Sequence, residues 1–214
     1  MTPQPCDAAR LCIFVREPRL GTVKTRLAST MGAVAALAAY ERLVDHLVAR
    51  VRAIANVRIE LWVAGDTSHP HIQQWAGALA ASIRVQPEGD LGQRMHAALY
   101  DPTQPAVPSL VIGTDCPAID GDLVTAAVAA IRSGAELVLA PAEDGGYGLI
   151  AVDPGPQRRF ENSPLCGIEW GSAAVLAQTR ARCQHLSIAT IMLQEVWDVD
   201  TESDWQRFEK LYGG

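Results

Sequence analysis

Apolar, β-forming runs and amphipathic helix-like segments alternate four times before residue 140, a pattern few folds accommodate. The β-like runs are 11–15 (LCIFV), 57–65, 82–86, 109–113 and 136–141, and the helix-like segments between them cover 33–54, 69–80, 92–100 and 120–133. In the first helix Leu37, Tyr40, Val44, Leu47, Val51 and Ile54 recur at steps of three and four, while Glu41, Arg42, Asp45, His46 and Arg50 fill the other face. His46 therefore reads as solvated. Strand–helix–strand units of this kind cross over right-handedly and build a mostly parallel sheet covered by helices on both faces. The expected class is α/β, a three-layer α/β/α sandwich. A second apolar run (147–152), a helix near 171–182, a short strand near 187–191 and a helix near 201–212 complete the chain. No linker divides it, the DPGP piece at 153–156 being too short, so 1–214 reads as one domain with residues 1–10 as a flexible tail.

Composition narrows the function. With 49% hydrophobic and 20% charged residues, the 214-residue chain can bury a sizeable core. A net charge of −6 argues against nucleic acid or an anionic membrane as the main partner. No apolar run approaches the roughly 18 residues of a membrane span, and MTPQPCDAAR lacks the pattern of a signal peptide, so a cytoplasmic protein is expected. The five cysteines show no CxxC spacing and read as reduced thiols. His69 and His71 read as a helix N-terminus rather than a metal pair. Against this acidic background, Arg16, Arg19, Lys24 and Arg26 fall within eleven consecutive positions.

In open α/β sheets ligands bind beyond the carboxyl ends of the strands, which directs attention to the loops there. The loop after the first strand, PRLGTVKTRL (18–27), carries that basic cluster. Gly21 permits a tight turn, and Arg16, Lys24, Thr25 and Arg26 at a helix start suit phosphate oxygens. A Walker A loop is excluded, because Pro18 and Val23 stand where its glycines belong. After the strand at 109–113 comes Thr114-Asp115-Cys116-Pro117. Asp120 is the better cap for the next helix, which leaves Asp115 free to bind Mg²⁺ or Mn²⁺ together with substrate phosphates. Cys116 reads as a packing residue.

Glu143-Asp144-Gly145-Gly146-Tyr147 is read in two ways, as a hairpin turn or as a ligand loop whose Asp144 serves as a base. In Trp197-Asp198-Val199-Asp200, alternation puts Asp198 and Asp200 on one side of an extended segment, where both could face a metal, although Asp200 or Thr201 also suits a helix cap. Arg94, in GDLGQRM (89–95), could close over a nucleotide. Trp170 and Ser172, at another helix start, read either as packing or as acceptor contacts.

Taken in order, PRLGTVKTRL, GDLGQRM, VIGTDCP, APAEDGGYGLI and WDVDTESD resemble a bacterial family of glycosyltransferases with the nucleotide-diphospho-sugar transferase (GT-A, Rossmann-like) fold. Guanylyltransferases of deazaflavin-cofactor synthesis and nucleotidyltransferases of molybdenum-cofactor synthesis share that fold. The resemblance runs from about Leu11 to Trp205 and departs at Arg16, where related sequences often have Lys, and over 162–172. It implies a nucleotide over the first half of the sheet, phosphates on Lys24 and Arg26, and a divalent metal at Asp115 completed by Asp198 or Asp200. The expected activity is metal-dependent glycosyl transfer from an NDP-sugar to a small acceptor, with Asp144 and Lys24 as catalytic groups and Gly145, Gly146, Tyr147, Trp170 and Ser172 on the acceptor side. Two rivals are nucleotidyl transfer from an NTP to a phosphorylated acceptor and a non-catalytic sugar-nucleotide sensor. Either a monomer or a homodimer is compatible with these features.

Overall fold

A computed structural model describes residues 8–153 and 160–213. Its seven-stranded sheet comprises β1 (Ala9–Arg16), β2 (Val57–Ala64), β3 (Ser82–Val85), β4 (Ser109–Ile112), β5 (Leu137–Pro141), β6 (Tyr147–Val152) and β7 (Thr190–Met192), in the order β3-β2-β1-β4-β6-β5-β7. The helices are α1 (Thr25–Met31), α2 (Ala33–Val51), α3 (Pro70–Leu79), α4 (Leu91–Leu99), α5 (Gly121–Arg132), α6 (Val175–His185) and α7 (Glu202–Tyr212). The expected α/β sandwich is the fold observed.

Strand alternation sorts the core into two layers. Leu11, Ile13 and Val15 of β1 point into the larger cluster, formed with Val44, Leu47 and Val51 of α2, Trp75 of α3 and Val124 and Ile131 of α5. Cys12 and its neighbours on the opposite face pack with Met95 and Leu99 of α4 and Cys183 of α6. Every pairing among β3, β2, β1 and β4 is parallel, as is β5 with β7, whereas β6 runs antiparallel to both β4 and β5. The reversal follows from the short 142–146 connection, because a return of that length can only make a hairpin.

Three local features differ from expectation. Strand β1 starts at Ala9 and buries Arg10, so the expected tail over 1–10 does not extend that far; residues 1–7 lie outside the described residues, as does the DPGP piece beyond Asp153. Arg10 is only 1% exposed because its guanidinium meets Glu60 Oε2 at 3.2 Å and donates to Ala98 O at 2.8 Å. The helix expected from residue 33 is preceded by the seven-residue α1, separated from α2 by Gly32 at φ +84°. His46 is partly buried rather than solvated: its ring packs on Phe208 and Tyr212 of α7, and Nε2 lies 3.0 Å from Pro117 O. Burial holds its pKa below the ordinary value, the Pro117 carbonyl opposing and Arg50 adding to that shift. As expected, His69 caps α3, its Nδ1 accepting from the His71 backbone N–H at 3.3 Å. Cys12, Cys116, Cys166 and Cys183 are free thiols.

Candidate active site

The loops following β1, β4 and β7, together with the β5–β6 hairpin, converge at one end of the sheet, beyond the carboxyl ends of its parallel strands. After Arg16 the chain turns at Gly21, which takes φ +76°, and enters α1 through Lys24 in the left-handed region at φ 48° and ψ 47°. That conformation costs a non-glycine residue roughly 1–3 kcal/mol and persists only where its surroundings enforce it. The surroundings here are three acceptors. Lys24 Nζ lies 2.7 Å from Asp115 Oδ1 and 3.3 Å from Asp200 Oδ1, and it donates to Val199 O at 2.6 Å. Its side chain is 4% exposed. Burial lowers the pKa of such an ammonium, but the two carboxylates outweigh that and hold it above the ordinary value. Asp200 is shared further with Arg26 Nη1, 3.2 Å away.

Two cavities meet at this cluster. One, of about 460 Å³, is lined by Arg16, Thr22, Lys24, Thr25, Arg26, Tyr40, Gln86 and Arg94. Arg94 is held over it by donation from Nε to Gly89 O at 2.9 Å, and the Tyr40 hydroxyl donates to Arg16 O at 2.9 Å. The other, of about 310 Å³, is lined by Asp115, Asp144, Asp198 and Asp200 with Phe14, Tyr147, Trp170 and Ser172, and no Lys, Arg or His borders it. Phe14, Leu91, Gly113, Asp115 and Asp200 belong to both. A larger cavity of about 690 Å³ lies elsewhere, between α5, the end of α2 and the start of β2, and is lined by none of the candidate site residues.

The 143–147 segment has the expected hairpin geometry and also borders a cavity. It is a hairpin turn, with Gly145 N donating to Ala142 O at 3.0 Å, and it lines the acidic cavity through Asp144, Gly146 and Tyr147. Asp144 Oδ1 accepts from Gly146 N at 2.8 Å. Gly145 does not line the cavity. Its φ is +88°, and a Cβ there would stand 2.2 Å from Ala173 O, so its part is to let the hairpin pack against the start of α6. Gly21 likewise serves the turn and lines neither cavity. Burial, with the neighbouring Asp144 and Asp200, pushes the Asp198 carboxyl up to about 6. Burial also raises the Cys116 thiol well above its usual value, which agrees with a packing role.

Among the described residues no three His, Cys, Asp or Glu side chains form a group that could hold a metal ion. The three aspartates expected as ligands are brought together, but Lys24 stands between two of them. Mg²⁺ sites commonly use one or two carboxylates completed by water and substrate phosphates, so this donor set remains compatible with the metal although no all-protein cage exists.

Several lining residues escaped the sequence reading. Phe14, Leu91, Met95 and Val111 give the acidic cavity an apolar floor, and Gln86 is fixed by donation to Trp62 O at 2.9 Å. Arg207 of α7 grips Glu143 with two hydrogen bonds of 2.8 and 3.0 Å and lies 4.1 Å over the Trp197 ring. Their only sequence signals are apolar, polar or charged letters of a kind found along any strand, loop or helix.

A profile of a bacterial family described as "uncharacterized protein conserved in bacteria", DUF2064, matches residues 47–172, more than half of the chain. The chain belongs to the DUF2064 family. No curated protein matches this DUF2064 member in sequence. Among solved structures it resembles a candidate nucleotide-diphospho-sugar transferase from Desulfovibrio desulfuricans G20, with TM-score 0.79, 25% identity, and coverage of 91% of this chain and 83% of that one. It also shares its fold with a CMP:2-keto-3-deoxy-manno-octonic acid synthetase complexed with CTP, at TM-score 0.59, 15% identity, and 97% and 99% coverage. A third likeness is to glucosyl-3-phosphoglycerate synthase from Mycobacterium tuberculosis, complexed with Mn²⁺, UDP and glucosyl-3-phosphoglycerate, at TM-score 0.53, 12% identity, and 94% and 75% coverage. The fold is that of nucleotide-diphospho-sugar transferases and cytidylyltransferases. Among the described residues no helix is long and apolar enough to cross a membrane.

Proposed function

We propose that this DUF2064 protein transfers a glycosyl group from an NDP-sugar to the hydroxyl of a small acceptor. The carrying observation is the change of charge from one cavity to the next: Arg16, Lys24, Arg26 and Arg94 line only the larger, Asp144 and Asp198 only the smaller, and Asp115 and Asp200 border both. A diphosphate is matched to the first. The second repels phosphate and suits a neutral hydroxyl compound resting on Phe14, Tyr147 and Trp170. Nucleotidyl transfer needs an anionic acceptor phosphate in that second cavity, whose lining carries four aspartates and no Lys, Arg or His of its own.

On this reading the acceptor oxygen attacks the anomeric carbon while the bond from that carbon to the diphosphate oxygen breaks, and the NDP leaves with the bonding electrons. Asp144 takes the acceptor proton if configuration inverts. Lys24 and Arg26 place fixed positive charge beside the leaving diphosphate. Asp115, with Asp198 or Asp200, would hold Mg²⁺ or Mn²⁺, which supplies charge neutralisation to the departing diphosphate. The Mn²⁺ and UDP complex of the mycobacterial synthase supports that choice of metal by analogy of fold.

The test is product analysis. The protein is incubated with Mn²⁺ and panels of NDP-sugars and NTPs, with hydroxyl and phosphorylated acceptors. Release of NDP from a sugar nucleotide is expected, and release of pyrophosphate from an NTP would replace this reading with nucleotidyl transfer.

A further inference from the structure

We propose that Lys24 is an internal stand-in for the divalent cation, and that it couples metal binding to nucleotide binding so that neither the free metal nor the unliganded site forms a tight complex alone. This rests on the metal-assisted reading above. An ammonium has three N–H donors, and all three acceptors are present: Asp115 Oδ1 at 2.7 Å, Asp200 Oδ1 at 3.3 Å and Val199 O at 2.6 Å. Lys24 is therefore saturated. A cation taking both Asp115 and Asp200 must occupy the gap that Nζ fills, and a phosphate can gain Lys24 only by drawing it off one of those acceptors.

Charge counting gives the same result. Lys24 and Arg26 against Asp115 and Asp200 form a formally neutral cluster. A divalent cation arriving alone adds two positive charges beside the buried ammonium, and a diphosphate arriving with it offsets them. Lys24 and Arg26 also line the basic cavity, so an incoming diphosphate lies on the side toward which Lys24 would be drawn. By linkage, whatever factor the nucleotide contributes to metal affinity the metal returns to nucleotide affinity.

The test reads metal binding directly, by titrating Mn²⁺ into the full-length protein without nucleotide and following the free-ion EPR signal. Wild type is expected to bind weakly, Lys24→Met at least ~10-fold more tightly, and Lys24→Arg like wild type, because Arg keeps the positive charge. Equal Mn²⁺ affinities in wild type and Lys24→Met, or tighter binding by wild type, would overturn the proposal. If Lys24→Met does not fold in buffer alone, Mn²⁺ must restore its thermal transition while monovalent salt of equal ionic strength does not; failure of that rescue overturns it equally. Absence of sugar-nucleotide binding by wild type would defeat the proposed function without altering this comparison, so the two failures are separable.

Discussion

At the scale of single residues, the acidic and basic groups divide by task. Asp115→Asn should lower metal-dependent turnover by on the order of 10²–10³ while the fold persists, as an Mn²⁺ dependence of initial rate will show. Undiminished metal-dependent turnover there would sink the metal assignment. Asp144→Asn should reduce kcat by roughly 10²–10⁴ with sugar-nucleotide affinity kept, provided the reaction inverts configuration, and a change in KM alone would remove its role as base. Gly145→Ala is expected to act on stability, since its Cβ would press on Ala173 O in a backbone conformation alanine disfavours. A loss of at least ~1 kcal/mol, read as a fall of about 2 °C or more in Tm, should follow. Asp115, Asp144, Asp198 and Asp200 were legible as candidates because each stands in a loop flanking a strand, where letter and position agree. The pairing of Lys24 with Asp115 and Asp200 was not, because the latter two residues are separated from Lys24 by long stretches of chain that only the crossovers bring back.

At the scale of elements, periodicity located the sheet and the longer helices well, and its failures have physical causes. Arg10 looks like the end of a tail in a one-dimensional pattern, yet Glu60 on the neighbouring strand neutralises it and lets β1 begin at Ala9. Helix α1 is too short to show a period, and Gly32 separates it from α2. Helix α7 is docked by contacts that sequence spacing does not reveal: Phe208, 2% exposed, fills the space beside Leu43, Trp197 and Val199. Phe208→Ala should cost about 3–5 kcal/mol, measurable by urea unfolding. His46 packs on the same helix. Its pKa is lowered on folding, so its contribution is present above the ordinary 6.5 and is lost as pH falls from there through the depressed value. Loss of the His46 contribution should lower the melting temperature as pH falls below about 6.5, and His46→Gln should remove that part of the slope. An unchanged slope in the variant would assign it to other groups.

At the scale of the whole molecule, the acidic total and the local basic loop are compatible because Arg16, Lys24, Arg26 and Arg94 are gathered on one cavity beside the acidic one. A sugar nucleotide at ~100 times its dissociation constant should stabilise the protein by ~2.7 kcal/mol, and a thermal-shift screen should find that stabilisation enlarged by Mn²⁺. A shift that ignores the metal would speak against a shared metal–nucleotide site. The hydrogen bond from Lys24 to Val199 O and the ion pair to Asp200 span separations of 175 and 176 residues. During synthesis the cation is therefore made long before two of its acceptors. A ribosome product stopped before Val199 would carry Arg16, Lys24, Arg26, Arg94 and Asp144 while leaving Lys24 with only Asp115, so the charge balance of this site is reached only once the chain has been made through Asp200.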